Sequence, residues 1–193
     1  MYNFQYANPT RICFGEGQIA RLPELIPAGS RLLVLYGGGS IKQNGVYEQL
    51  TQALAGREWL EFPGIGANPQ YDQLMEAVAL VKRERIDFLL AMGGGSVVDG
   101  TKFVAAAACF EGDDPWEILR DKAPIKAALP LGCVLTLPAT GSESNPAAVV
   151  SRGEAKLSFY NPLVQPVFAV LDPATTYSLP PRQVGNGVVD AFV

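Results

Sequence analysis

The chain has 193 residues, 48% of them hydrophobic and 18% charged, with a net charge of −4. That length and balance give a well-buried globular domain rather than a disordered tail. The acidic balance, with no run of Lys or Arg, argues against nucleic-acid binding; the start, Met1 to Ile12, has no signal-peptide core, and no apolar run is long enough to span a bilayer.

Cys13, Cys109 and Cys133 are odd in number, widely spaced and flanked by apolar residues. They read as reduced, buried thiols of a cytoplasmic protein rather than a disulfide or a metal cluster. The chain contains no histidine. A self-contained metal or acid–base enzyme of this size usually carries one, because imidazole is the commonest metal ligand and titrates near neutrality.

Short apolar runs alternate with longer amphipathic ones, the pattern of a parallel sheet with crossover helices. Arg31 to Tyr36 is a buried strand ending in Gly37, Gly38, Gly39 and Ser40, followed by a helix through Val46, Leu50 and Leu54 and a strand from Trp59 to Phe62. Asn68 is placed to cap a helix with Pro69 at its first position, and that helix buries Leu74, Val78 and Val81. Asp87 to Met92 is the next strand, ending in Gly93, Gly94, Gly95 and Ser96 and opening an alanine-rich helix, Val97 to Ala108. A Pro- and charge-rich stretch from Asp113 to Lys126 is expected on the surface, before a strand from Gly132 to Leu137. Apolar segments follow at Ala147 to Val150 and Val167 to Leu171, and Pro180–Pro181 starts a last helix through Val184, Val188 and Val189. That helix has no stop signal before Val193, which reads as a truncated chain or isolated domain.

Two Gly-Gly-Gly-Ser segments thus sit between a strand and a helix. Glycine lets the backbone approach a ligand closely, and the helix start supplies free N–H groups and positive dipole for a phosphate. One such turn reads equally well as a tight strand-to-helix connection. Two would flank one crevice at the carboxyl edge of the sheet. Neither fits the G-x-G-x-x-G fingerprint or a P-loop. Thr136, Thr140, Ser142 and Asn145 bunch short uncharged hydrogen-bonding groups after a strand; they suit a carboxamide or ribose, or simply a Ser/Thr turn.

Five motifs occur in order over essentially the whole chain: Gly93 to Asp99 with Lys102, Leu137 to Glu143, Leu171 to Pro173, Leu179 to Pro181, and Asn186 to Asp190. Together they resemble the iron-containing alcohol dehydrogenase family, in its NADPH-dependent aldehyde reductase and butanol dehydrogenase branch. The resemblance implies a Rossmann-like α/β nucleotide domain at residues 1–180, with 181–193 the first helix of an all-helical metal-binding domain. It implies iron or zinc held by one aspartate and three histidines, polarising a small aldehyde or alcohol while NADP(H) exchanges hydride with it, in a homodimer when full length. A glycerol-dehydrogenase-like or sugar-cyclase-like relative shares the glycine turn but not the Asn186 to Asp190 segment. A catalytically silent nucleotide-binding module is the alternative outside the enzymes.

Carried over by position, Gly37, Gly38, Gly39 and Ser40 would border the adenosine ribose, and Gly94, Gly95 and Ser96 would hold the pyrophosphate. Asp99 would lie near the nicotinamide as a catalytic group, or else cap the helix or pair with Lys102. Thr136, Thr140, Ser142 and Asn145 would line the nicotinamide-ribose side. Lys156 would sit on the same face, or stay a solvated lysine beside the turn at Gly153 and Glu154. Asp190 matches the first metal ligand, the second falling just past Val193, so this chain alone is expected to hold no metal tightly and show no aldehyde reduction. The apolar face of Val184, Val188, Val189, Phe192 and Val193 is expected to drive self-association. Members preferring NAD usually carry aspartate at the position of Gly39; glycine there, with Lys42 close by, implies NADPH over NADH.

Overall fold

The structure, a computed structural model, describes residues 3, 5 and 7–192. Its elements in chain order are β1 (Arg11–Phe14), α1 (Leu22–Leu25), β2 (Leu32–Tyr36), α2 (Val46–Ala53), β3 (Trp59–Phe62), α3 (Tyr71–Glu84), β4 (Phe88–Gly94) and α4 (Gly95–Ala108). There follow α5 (Glu117–Arg120), β5 (Leu131–Leu137), β6 (Ala147–Arg152), β7 (Ala155–Tyr160), β8 (Phe168–Leu171) and α6 (Pro181–Phe192). Six strands form one sheet in the order β1-β8-β5-β4-β2-β3, with every pairing parallel. β6 and β7 form a separate antiparallel hairpin.

The continuous apolar character of the central strands follows from burial on both faces. All five residues of β2 are buried; Leu33 and Leu35 pack with α3 and α4, while Leu32, Val34 and Tyr36 pack with α2 and the segment around Ile19 and Leu22. α4 is enclosed further, because Ala148 and Val150 of the hairpin share its core. That enclosure explains an alanine-rich helix with almost no polar face: small side chains let neighbours approach from every side. Cys13 and Cys133 are buried and Cys109 half-buried, all three free.

Three sequence expectations change, and two strands join them. Asn68 does not cap α3: its backbone is left-handed (φ 56°), the helix starts at Tyr71, and its N-cap position is Gln70. Pro69 holds that approach extended and accepts from the Ser151 N–H at 2.9 Å. The stretch from Asp113 to Lys126 is not wholly surface, since Trp116, Ile118 and Leu119 are buried. Asp114 ties it down by accepting from the Tyr71 hydroxyl (2.5 Å) and the Arg152 guanidinium (2.8 Å). Burial works against the Asp114 charge, but these donors and the Trp116 N–H outweigh it and bring its carboxyl down to about 2. α4 begins at Gly95 rather than Val97, so the second glycine segment is strand end and helix start with no loop between. β1, only four residues long, and β7, which alternates Ala155, Leu157 and Phe159 with Lys156, Ser158 and Tyr160, are strands as well. Val193, expected on the last helix, lies outside the described residues.

No helix of the described residues is long and apolar enough to cross a membrane. α6 leaves Val184, Val188, Val189 and Phe192 exposed, Phe192 at 91%.

Gly132 marks the tightest point of the sheet. A Cβ there would approach the Phe168 ring to 2.2 Å, and that ring is stacked on Phe88 with centroids 6.1 Å apart. The Gly132→Ala protein is expected to lose about 1–3 kcal/mol of stability by overpacking, melting about 2–4 °C lower per kcal/mol. Phe168→Leu in the same chain should recover part of the loss, and an unchanged melting temperature for Gly132→Ala would refute the contact.

Candidate functional site

β2 and β4 are neighbours in the sheet although β3 separates them in sequence. From β2 the chain passes outward through α2 to β3; from β4 it passes the other way through α4 to β5. The strand order therefore reverses between them, and a crevice opens at their carboxyl ends, where open α/β sheets bind ligands. Both glycine segments border it. A cavity of about 160 Å³ is lined by Gly37, Gly39, Ser40, Gly94, Thr136 and Leu179, among others. A larger hollow of about 800 Å³ lies at the opposite edge, by Arg31, Arg57 and Trp59. It includes the turn glycines Gly29 and Gly56 but lies at the amino ends of β2 and β3, so the crevice at the carboxyl ends is the candidate.

Two glycines are required by geometry. Gly39 has φ +99°, a conformation that opens the 3-10 turn Ser40–Lys42. At Gly95 a Cβ would come within 2.6 Å of Thr140 Oγ1, so the Thr140 side chain packs directly on the main chain that starts α4. α4 has no side-chain cap and no acidic residue in its first turn. Its leading N–H groups and positive dipole are therefore available to an anion.

Beside the first glycine turn lies a polar cluster that the sequence pattern did not reveal. Glu61 accepts from the hydroxyls of Tyr36 (2.5 Å) and Tyr47, and Lys42 Nζ stands 3.3 Å from it. Lys42 also lies against the Tyr47 ring, 4.5 Å from its centroid. Burial alone would raise the Glu61 carboxyl, but the two hydroxyls and the ammonium hold it below its ordinary range. Lys42 is thus already ion-paired, not a free countercharge for a ligand.

A second cluster gathers Asp99, Ser142 and Asn145 around Lys102. Lys102 is fully buried, and its ammonium donates to Ser142 Oγ (3.0 Å), Asn145 Oδ1 (3.1 Å) and the Ala147 carbonyl (2.7 Å). Ser142 in turn donates to Asp99 Oδ1 at 2.5 Å, and Asp99 Oδ2 accepts from the Val149 N–H at 3.0 Å. Asp99 therefore meets Lys102 through Ser142 and makes no direct ion pair with it. Burial pushes the Asp99 carboxyl up, against the pull of Ser142, the Val149 N–H and the charges of Lys102 and Lys156. The sequence considered Lys102 only as a mate for Asp99. The apolar residues on either side of it, Val97, Val98, Phe103 and Val104, were the available signal.

Gly37, Gly39, Ser40, Gly94 and Thr136 thus share one crevice, Gly38 is exposed beside it, Gly95 and Ser96 form the helix start, and Thr140 packs on Gly95. Lys156 stands apart, exposed on β7, and donates to Asn68 Oδ1 at 2.6 Å. Asp190 is exposed on α6. Among the described residues no three His, Cys, Asp or Glu side chains are grouped to hold a metal ion.

A family model described as iron-containing alcohol dehydrogenase matches residues 9–173. The chain is 60% identical to the NADPH-dependent aldehyde reductase YqhD of Escherichia coli, covering 100% of this chain and 51% of that protein. It is 47% identical to the probable NADH-dependent butanol dehydrogenase 1 of Bacillus subtilis, covering 98% and 50%. Among solved structures it superposes on E. coli YqhD with a TM-score of 0.94 over 98% of this chain and 50% of that one. It superposes on NADH-dependent butanol dehydrogenase A of Thermotoga maritima with a TM-score of 0.92 at 44% identity, over 99% and 49%. The chain spans about half the length of the curated relatives it matches. With these matches over a parallel sheet whose glycine turns meet at one crevice, the chain belongs to the iron-containing alcohol dehydrogenase family.

Proposed function

We propose that this chain is the nucleotide-binding part of an NADP(H)-dependent alcohol dehydrogenase or aldehyde reductase acting on a small aldehyde or primary alcohol. The observation that carries the reading is the crevice at the strand-order reversal, bounded by two glycine turns and an uncapped helix start. Residues 181–193 are read as the opening helix of a metal-binding domain, and the whole protein as a cytoplasmic homodimer.

The nucleotide fits what is present. Gly94, Gly95 and Ser96 offer main-chain N–H groups to a pyrophosphate, with no Cβ or carboxylate opposing it. Gly37, Gly38, Gly39 and Ser40 border the adenosine ribose. Thr136 and Thr140, with Asn145 behind them, take the nicotinamide ribose, Asp99 and Ser142 holding that side from beneath. Lys156, on the hairpin, is read as a cation on the nicotinamide-ribose side. A bound nicotinamide supplies or accepts the hydride; the part of this chain is to orient it and keep water from its inner face.

A second reading, a nucleotide module without catalysis, describes the chain taken by itself. It has no histidine, and Asp190 is a single exposed carboxylate. Purified chain loaded with iron or zinc is therefore expected to surrender the metal to a chelator and to reduce no aldehyde. Stoichiometric metal surviving dialysis against the chelator would contradict this.

The choice between NADPH and NADH rests on the first glycine turn. Gly39→Asp would set a carboxylate beside a 2′-phosphate, but at φ +99° any side chain adds strain. Gly39→Asn shares that strain without charge and is the control. By calorimetric titration, Gly39→Asp is expected to bind NADPH about ten- to a hundredfold more weakly than Gly39→Asn, with NADH affinity equal between them. Equal NADPH affinities of the two variants would rule this turn out as the reader of the 2′ position.

Glu61 adds a separate handle. Glu61→Gln removes the carboxylate from Lys42, one 3-10 turn from Gly39, and is expected to strengthen NADPH binding by a few-fold while leaving NADH unchanged. A gain shared equally by both nucleotides, or none, would show that Lys42 does not act on the 2′-phosphate.

A further inference from the structure

Lys102 is a buried cation to which the nucleotide reading gives no task. Its neighbours on α4, Val98, Phe103, Ala105 and Ala106, are all buried too. An ammonium in such surroundings must find an acceptor for each of its three protons or lose its charge. It finds three, Ser142 Oγ, Asn145 Oδ1 and the Ala147 carbonyl, all on the single segment 142–147. Asn145 Oδ1 also accepts from the Ala147 N–H at 2.9 Å. With two donors aimed at its oxygen, the amide cannot turn over, and its N–H2 end must face away from Lys102.

We infer that Lys102 is a positioning residue for the nicotinamide-ribose end of the nucleotide: it pins residues 142–147 beside the crevice and fixes the Asn145 amide as a donor toward the ligand. The inference rests on the nucleotide reading above. Lys102 and its acceptors belong to α4 and the segment after β5, whereas the adenosine side is bordered by the turn after β2. A fragment carrying only the adenosine end should therefore not feel Lys102.

The charge on Lys102 is also poised. Burial brings its ammonium down to about 8, against the pull of Asp99 on its own helix and Glu143 on the following turn. Cys133 faces it from β5, its thiol pushed up by burial and so neutral in this range. Lys156 on β7 acts on Asp99. Because the folded value lies below that of a free lysine, the pinning is complete below about 8 and weakens as pH rises through it.

The test titrates the chain with NADPH and with 2′,5′-ADP, which lacks the nicotinamide half, by calorimetry from neutral pH to about two units above it. In Lys102→Met, NADPH affinity is expected to fall about ten- to a hundredfold while 2′,5′-ADP binding stays within about twofold. The parent should lose NADPH affinity as pH passes about 8, a step that Lys102→Met lacks and 2′,5′-ADP does not show. Asn145→Asp keeps the acceptor for Lys102 but replaces the outward N–H2 with oxygen. It should lose NADPH affinity without melting lower, and with the parent's pH profile it decides the matter should Lys102→Met not fold. Undiminished NADPH binding in either variant, or equal loss of both ligands in Lys102→Met, would overturn the inference alone. A parent that binds neither ligand would remove the nucleotide reading and this inference with it.

Discussion

β2 and β4 lie side by side and send their crossover connections in opposite directions, and the rest of the candidate site depends on the gap this leaves. A strand end in a parallel sheet is normally roofed by the helix that follows it. Where two adjacent strands part company, nothing roofs the space between them, and main-chain N–H groups from both sides look into it. The glycines at 37–39 and 93–95 serve that one geometric fact. They keep the walls of the gap free of Cβ atoms, and at Gly95 the wall is close enough to Thr140 that a methyl group would displace it.

The second requirement is rigidity on the side of β5, where the chain has little regular structure to rely on. Residues 138–146 form a turn and irregular loop before β6. Such a segment at a sheet edge is ordinarily mobile. Here it is tethered from below by an ion that has no way out to solvent. A buried cation held by neutral oxygens is costly unless every proton is satisfied, so the arrangement tolerates very few alternatives. The same logic, in milder form, governs the first turn, where Glu61 binds two tyrosines and a lysine into one unit. In both places a charge contributes less to overall stability than to holding a particular conformation.

Much of this was legible in the sequence. Strands β2, β4 and β5, helices α2, α3, α4 and α6, and the glycine-rich corners follow from apolar periodicity and turn residues, because those features express local burial. The pairing of the two glycine turns was legible too, since strand–glycine–helix units of one hand leave few ways to assemble. What escaped has a common cause: it depends on contacts between distant segments. β1 shows up only through its pairing with β8, more than 150 residues on. Asn68 looks like a helix cap until Lys156, 88 residues away, is seen to take its side chain. Trp116, in a stretch rich in charge, is buried because Tyr71 and Arg152 close around Asp114. Ser142 and Asn145 read as ligand-facing groups, whereas the Ser142 hydroxyl is committed to Lys102 and Asp99, and Asn145 offers only one end of its amide.

α6 comes against the segment after β5 at Gly187. A Cβ on Gly187 would lie 2.7 Å from the Pro138 carbonyl oxygen, so the helix rests directly on the peptide chain that leaves β5. Its standoff from the crevice is therefore gauged by backbone against backbone, with no rotamer between them to give way. Three residues further on stands Asp190. Side-chain changes along α6 can alter what the helix carries, while the spacing between its carboxylate and the segment after β5 is set where Gly187 has no side chain.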